Sequence, residues 1–149
     1  MIWKPHVTVA AVAEDNGRFL LVEECVDGRI RFNQPAGHLE DGESLLEAVR
    51  RECREETGWA FSPEHLLGVY RWRNTLNGKT FLRFTFSGTC TDHRPGQALD
   101  EGILAAHWLT PDEVRHRSAS LRSPLVLRSI EDALAGRRFP LDLLAEVDA

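Results

Sequence analysis

Apolar positions in the first third of the chain fall in short runs divided by turn residues. Residues 6–13 are rich in Val and Ala and predict a buried strand. Glu14-Asp15-Asn16-Gly17 is a turn signal, residues 18–25 predict a second strand, and residues 30–33 a short extended piece. Gln34-Pro35-Ala36-Gly37 is punctuated by Pro and Gly and reads as irregular. The period then becomes helical. Ser44 with Glu47 forms a capping-box signature, and Gly58 is placed as a left-handed stop, so a helix is expected from there to about Thr57. Residues 68–73 and 80–91 predict strands around an Asn77-Gly78 turn, and residues 103–109 predict another. Thr110-Pro111-Asp112-Glu113 opens a short helix, and Ser123-Pro124 opens a last one ending near Gly136. The pattern predicts an α/β or α+β layered domain, a mixed sheet with helices packed on it, with residues 1–149 forming one domain.

The mid-chain helix departs from simple amphipathicity. Advancing about 100° per residue from Leu45, Val49, Cys53 and Leu46 form an apolar stripe. Glu43, Glu47, Arg50 and Arg54 group on what reads as a solvated face. Glu52 and Glu56, however, fall within about 20° of Leu45, on the core-facing phase, with Glu55 beside them. Buried carboxylates are costly unless paired or metal-bound, and like charges one turn apart near a helix C-terminus add to the cost. A hard divalent cation resolves this. An oxygen-only donor set without His or Cys points to Mg²⁺, with Mn²⁺ as the alternative.

Composition narrows the picture further. With 42% hydrophobic and 28% charged residues, the 149-residue chain is globular in composition, which excludes a low-complexity or disordered one. Cys25, Cys53 and Cys90 are odd in number and widely spaced, so buried free thiols in a reducing compartment are expected instead of a disulfide framework or zinc site. No apolar leader or membrane-length run is present, so a cytoplasmic protein without a membrane partner is expected. The net charge of −5 disfavours a nucleic-acid partner. That charge is concentrated: residues 40–56 hold seven acids and three bases, a balance of −4.

The same segment runs Gly37-x5-Glu43-x7-Arg51-Glu52-Cys53-Arg54-Glu55-Glu56-Thr57-Gly58-Trp59. It resembles the Nudix box, GX5EX7REUXEEXGU, at all seven fixed positions, with Cys53 and Trp59 at the two bulky apolar sites. The segments around His6, Asn33 to Glu40, Phe81 to Phe84 and Arg122 to Val126 resemble a bacterial phosphatase branch of that family, a likeness reaching from the N-terminus to about Leu141. The resemblance implies a Nudix α/β/α sandwich with a mixed β-sheet. It also implies Mg²⁺-dependent hydrolysis of phosphoanhydride bonds in nucleoside di- and triphosphates and in hydroxymethylpyrimidine pyrophosphate, by a monomer acting on small molecules. By the same pattern Glu52, Glu55, Glu56 and the Gly37 carbonyl bind metal. Glu52, Glu55 and Arg51 belong to the catalytic set, with Glu52 the first choice of base, and Glu43 and Arg51 form a structural pair.

Some members take a further acid from a late loop, for which Asp100 and Glu101 are the candidates. Arg83 and Arg18 are candidate cations for the phosphate chain. Trp3, Trp72, Phe84 and Phe32 are candidate faces for a flat ring. His6 and His38 read as polar neighbours of the site, and Arg122-Ser123-Pro124 as a cap of the last helix. Rival readings are an RNA 5′-end pyrophosphohydrolase, an ADP-ribose-type pyrophosphatase, and a non-catalytic ligand-binding module of the same fold. The box acids, all retained, speak against the last.

Overall fold

The structure is a computed structural model, and residues 1–148 are described. Seven strands and three α-helices follow in the order β1 (His6–Asp15), β2 (Arg18–Val26), β3 (Arg29–Asn33), β4 (Ala36–His38), α1 (Leu45–Thr57), β5 (Ala60–Arg73), β6 (Thr80–Thr91), β7 (Ile103–Leu109), α2 (Pro111–His116) and α3 (Leu125–Leu134). β1 is the axis of the sheet. It runs parallel to β6 from His6↔Phe81 to Ala13↔Gly88, and antiparallel to β4 at Thr8↔His38. Its far end meets β2, which carries β3 on one edge and β7 on the other, while β5 pairs antiparallel with β6.

Side-chain alternation along these strands sorts the core into two layers. Val9, Ala11 and Ala13 of β1, with Leu20 and Phe86, pack against Ala48, Val49 and Cys53 of α1. Val12, Phe19 and Leu21 point the other way, against Val114 of α2 and Val126 and Ile130 of α3. The result is the α/β/α sandwich with a mixed sheet. Among the described residues, no helix is long and apolar enough to cross a membrane.

Three expectations change. Ala36–His38 is a short strand instead of irregular chain, because β1 supplies its backbone partners. β5 begins at Ala60, well before residue 68, because β6 pairs with it along its whole length, past two register shifts. Of the three free thiols only Cys53 is buried; Cys25 is exposed and Cys90 is partly covered.

The ends of α1 form as their sequence dictates. Ser44 Oγ accepts the Glu47 N–H at 3.0 Å, and the Glu47 carboxylate accepts the Ser44 N–H, closing a capping box. Gly58 has φ of 76°, the left-handed conformation that glycine adopts without strain, and its N–H donates to the Arg54 carbonyl. Ser44→Ala removes one end of the box. It should cost about 1 kcal/mol and lower the melting temperature by roughly 2–4 °C, checked by thermal unfolding.

Candidate active site

The last two turns of α1 place Glu52 and Glu56 in buried positions and Glu55 half-exposed at the edge. Carboxylate oxygens of Glu52, Glu55 and Asp100 all lie within 4.8 Å of one another. Asp100, on the segment joining β6 to β7, is therefore the late acid that reaches α1. Glu101 is exposed and lies outside this group. Glu56 sits behind it, where its Oε1 accepts the Ala36 N–H at 2.8 Å.

Arg51 organises these charges. Its Nε and Nη2 donate to the two Glu43 oxygens at 3.0 and 2.7 Å, a forked pair. Its Nη1 reaches Glu52 at 2.8 Å and Glu55 at 3.3 Å, and Nη2 also donates to the His38 carbonyl. The Arg51 pairing holds Glu43 below its ordinary carboxylate value and raises the Arg51 guanidinium above its own. Burial pushes Glu52 up, with Arg51 opposing it. Burial pushes Glu56 up to about 9, offset in part by the Ala36 N–H and reinforced by the charge of Glu52.

Gly37 is dictated by this packing. A Cβ there would stand 2.2 Å from the Glu52 carboxyl carbon, so only glycine lets β4 lie against that acid. This cradle, and an all-oxygen donor set that a single guanidinium serves, fit a divalent cation. Glu52, Glu55 and Asp100 are the side chains placed to hold one.

On the opposite side of β4 a pocket of about 190 Å³ opens, with Ala36 and Gly37 in its wall. Arg83 forms part of its lining, only 5% exposed, with Nη2 donating to Asn33 Oδ1 at 3.2 Å and Nε without a partner. Burial pushes its pKa down to about 10. Trp72 stacks on Phe81, ring centroids 5.5 Å apart, and both line the pocket. Arg122 also lines it, bound to Glu24 at 2.9 Å. His38 lines it too, its pKa lowered by burial, with its ring edge-on to that of His6.

Several expected residues lie elsewhere. Arg18 is exposed at the far end of β2, six residues from Glu24, roughly 20 Å away at about 3.3 Å per residue. Trp3 is 68% exposed and does not line the pocket. Phe84 points to the α1 side of the sheet and packs in that core. Phe32 packs in the α3-side core under the Arg117 guanidinium. Glu43 and Arg54 leave the solvated face assigned to them: Glu43 is folded onto Arg51, and Arg54 turns back to the Gly58 carbonyl at 2.6 Å.

Among the pocket residues missed from sequence are Phe81, Asn33 and Glu24, along with the placement of Arg122 in the wall. Alternation held the signal for one of them, since Phe81 shares a sheet face with Arg83 and Phe84 cannot.

Known proteins share this architecture. Residues 4–128 match the family model described as NUDIX domain. The chain belongs to the Nudix hydrolase family. It is 42% identical over 146 residues to phosphatase NudJ of Escherichia coli K12, covering 97% of this chain and 94% of that protein. A solved NUDIX hydrolase from Nitrosomonas europaea is 52% identical, with a TM-score of 0.96, covering 98% of this chain and 99% of that one. The MutT protein from Methanosarcina mazei Go1, 21% identical over 93% of this chain and 100% of its own, shares the fold with a TM-score of 0.69.

A pH dependence follows from Glu56. In the metal-free protein it keeps its proton up to pH of about 9, whereas the unfolded chain releases it near the ordinary 4.5. Its contribution to stability is thus complete below that lower value and is lost as pH rises toward 9. Melting temperatures measured in chelator should fall across this window, and Glu56→Gln should flatten the fall. An unchanged slope in the variant would contradict the assignment.

Proposed function

We propose that this protein is a Mg²⁺-dependent phosphatase that hydrolyses phosphoanhydride bonds in small molecules, namely nucleoside di- and triphosphates and hydroxymethylpyrimidine pyrophosphate. The observation that carries this reading is the adjacency of two features across one short strand. The Glu52, Glu55 and Asp100 carboxylates lie on one side of β4, and a pocket with a buried arginine and two stacked aromatic rings lies on the other. A relative 42% identical over nearly the whole chain bears the name phosphatase NudJ, which supports the same reading.

Glu52, Glu55 and Asp100 are the side chains that would hold the metal, with the Gly37 carbonyl beside them; Glu56, the other family acid, would join them by giving up its proton while its Oε1 keeps the Ala36 N–H. When bound, such an ion offsets phosphate charge and lowers the pKa of water. Glu52 accepts the proton of the attacking water. Burial raises its basicity, and the Arg51 bond at 2.8 Å fixes its orientation. Arg51, held by Glu43, keeps the acids from spreading apart. In the pocket, Arg83 is a desolvated cation with donors to spare, suited to an oxygen of the substrate, and Trp72 with Phe81 offers a flat apolar face to a ring.

The test is a substrate panel with Mg²⁺: nucleoside di- and triphosphates, hydroxymethylpyrimidine pyrophosphate, ADP-ribose and 5′-triphosphorylated RNA, with phosphate and pyrophosphate measured separately. Phosphate release from the first two classes is expected. Turnover of RNA ends or ADP-ribose alone would favour the pyrophosphohydrolase readings, and silence with every compound would leave a binding module. Glu52→Gln and Glu55→Gln should each leave the fold intact and lower turnover by roughly 10²-fold or more. Arg83→Met should raise KM on the preferred substrate by roughly tenfold or more, the scale of a lost charge-assisted bond.

A further inference from the structure

Asp100 belongs to an exposed connection, yet it is brought to the acids of α1. The attachment runs through the C-terminal end of that helix, where the last carbonyls have no partner within the helix. Gln97 Nε2 donates to the Arg54 carbonyl at 2.6 Å. The Asp100 N–H donates to the Glu55 carbonyl at 3.1 Å, and the Arg94 N–H to the Gly58 carbonyl at 3.0 Å.

Arg54 closes the same joint from the helix side. Its Nη1 donates to the Gly58 carbonyl and to the Asp92 carbonyl at 2.8 Å, and its Nη2 pairs with the Asp92 carboxylate at 3.1 Å. Beyond Gly58, Trp59 stacks flat on His93 with ring centroids 4.3 Å apart, and Trp108 meets Trp59 edge-on. The last stretch of the connection is tied to β2, where the Cys25 N–H donates to the Gly102 carbonyl at 2.9 Å.

We propose that this joint sets the metal affinity of the acid cluster, with Gln97 and Arg54 as positioning residues that deliver the Asp100 carboxylate. The inference rests on the metal-dependent reading above. Its physical basis is a balance of forces. A third carboxylate beside Glu52 and Glu55 is repelled by both, and the guanidinium that serves those two acids, Arg51, is also engaged by Glu43. Left to itself, an exposed segment would relax that repulsion by moving outward. The bonds to the Arg54 and Glu55 carbonyls fix its backbone within one residue of the acids, so the cost of gathering the third carboxylate is met in folding and not at the moment of binding.

The variant that separates this from a merely structural role is Gln97→Met, which keeps the bulk of the side chain and removes its donor. Three measurements on the full chain are paired: amide exchange at Asp100 in chelator, direct binding of Mn²⁺ without substrate, and phosphate release. Faster exchange at Asp100 and Mn²⁺ binding weaker by roughly threefold to tenfold are expected, with phosphate release falling in parallel at limiting metal and recovering at saturating metal. In an Asp100→Asn background the same Gln97→Met change should leave Mn²⁺ affinity unaltered, since the group it positions is gone. Equal weakening in both backgrounds would overturn the inference, as would normal Mn²⁺ binding by the single variant. A parent protein that binds no Mn²⁺ would instead overturn the metal-dependent reading, and this inference with it.

Discussion

A single guanidinium holds the chemistry of this protein in place. Arg51 grips both oxygens of Glu43 and extends its remaining donors to Glu52, Glu55 and the His38 carbonyl. Without it, the end of α1 would carry several negative charges on partly desolvated ground, near a helix terminus that disfavours them. With it, Glu43 is anchored to the loop before α1, β4 is drawn to the helix through His38, and Glu52 is aimed. One cation cannot neutralise this many acids. Burial raises Glu52 and lifts Glu56 to about 9, and the charges of neighbouring acids, Asp100 among them, push both in the same direction. The fold therefore stores an unmet demand for positive charge at one spot.

The sandwich converts that demand into a site with two sides. Alternation along β1, β2 and β6 sends one set of apolar residues to α1 and the other to α2 and α3. β4 is the thin partition near the end of this arrangement. Its Ala36 N–H serves Glu56 on the α1 side, and its Ala36 and Gly37 line the pocket on the α3 side. Glycine at 37 is what brings the two sides so close.

What the sequence made legible follows the range of the interactions. The capping box at Ser44, the left-handed stop at Gly58 and the helical phase that buries Glu52 and Glu56 are local, and they stand where the residue pattern puts them. The strand at Ala36–His38 and the early start of β5 are created by partners far along the chain, which neither the Pro and Gly of residues 34–37 nor the local pattern before residue 68 reveals. Arg54 and Glu43 look solvent-facing on a helical wheel because a wheel shows neither the Gly58 and Asp92 carbonyls nor the Arg51 fork. Arg18, Trp3 and Phe84 are candidates by residue type alone. Strand length removes the first, exposure the second, and the two-residue period the third.

On the proposed reading, a divalent cation completes the acidic end of α1. Thermal unfolding of the unaltered protein with and without Mg²⁺, at pH 5 and at pH 8, tests it most directly. A ligand that binds only the folded state stabilises it by about 2.7 kcal/mol at one hundred times its dissociation constant. Mg²⁺ should therefore raise the melting temperature by several degrees at pH 8, and by less at pH 5, where protons compete for the buried acids. A melting temperature indifferent to Mg²⁺ at pH 8 would show that the acids of α1 hold no such ion.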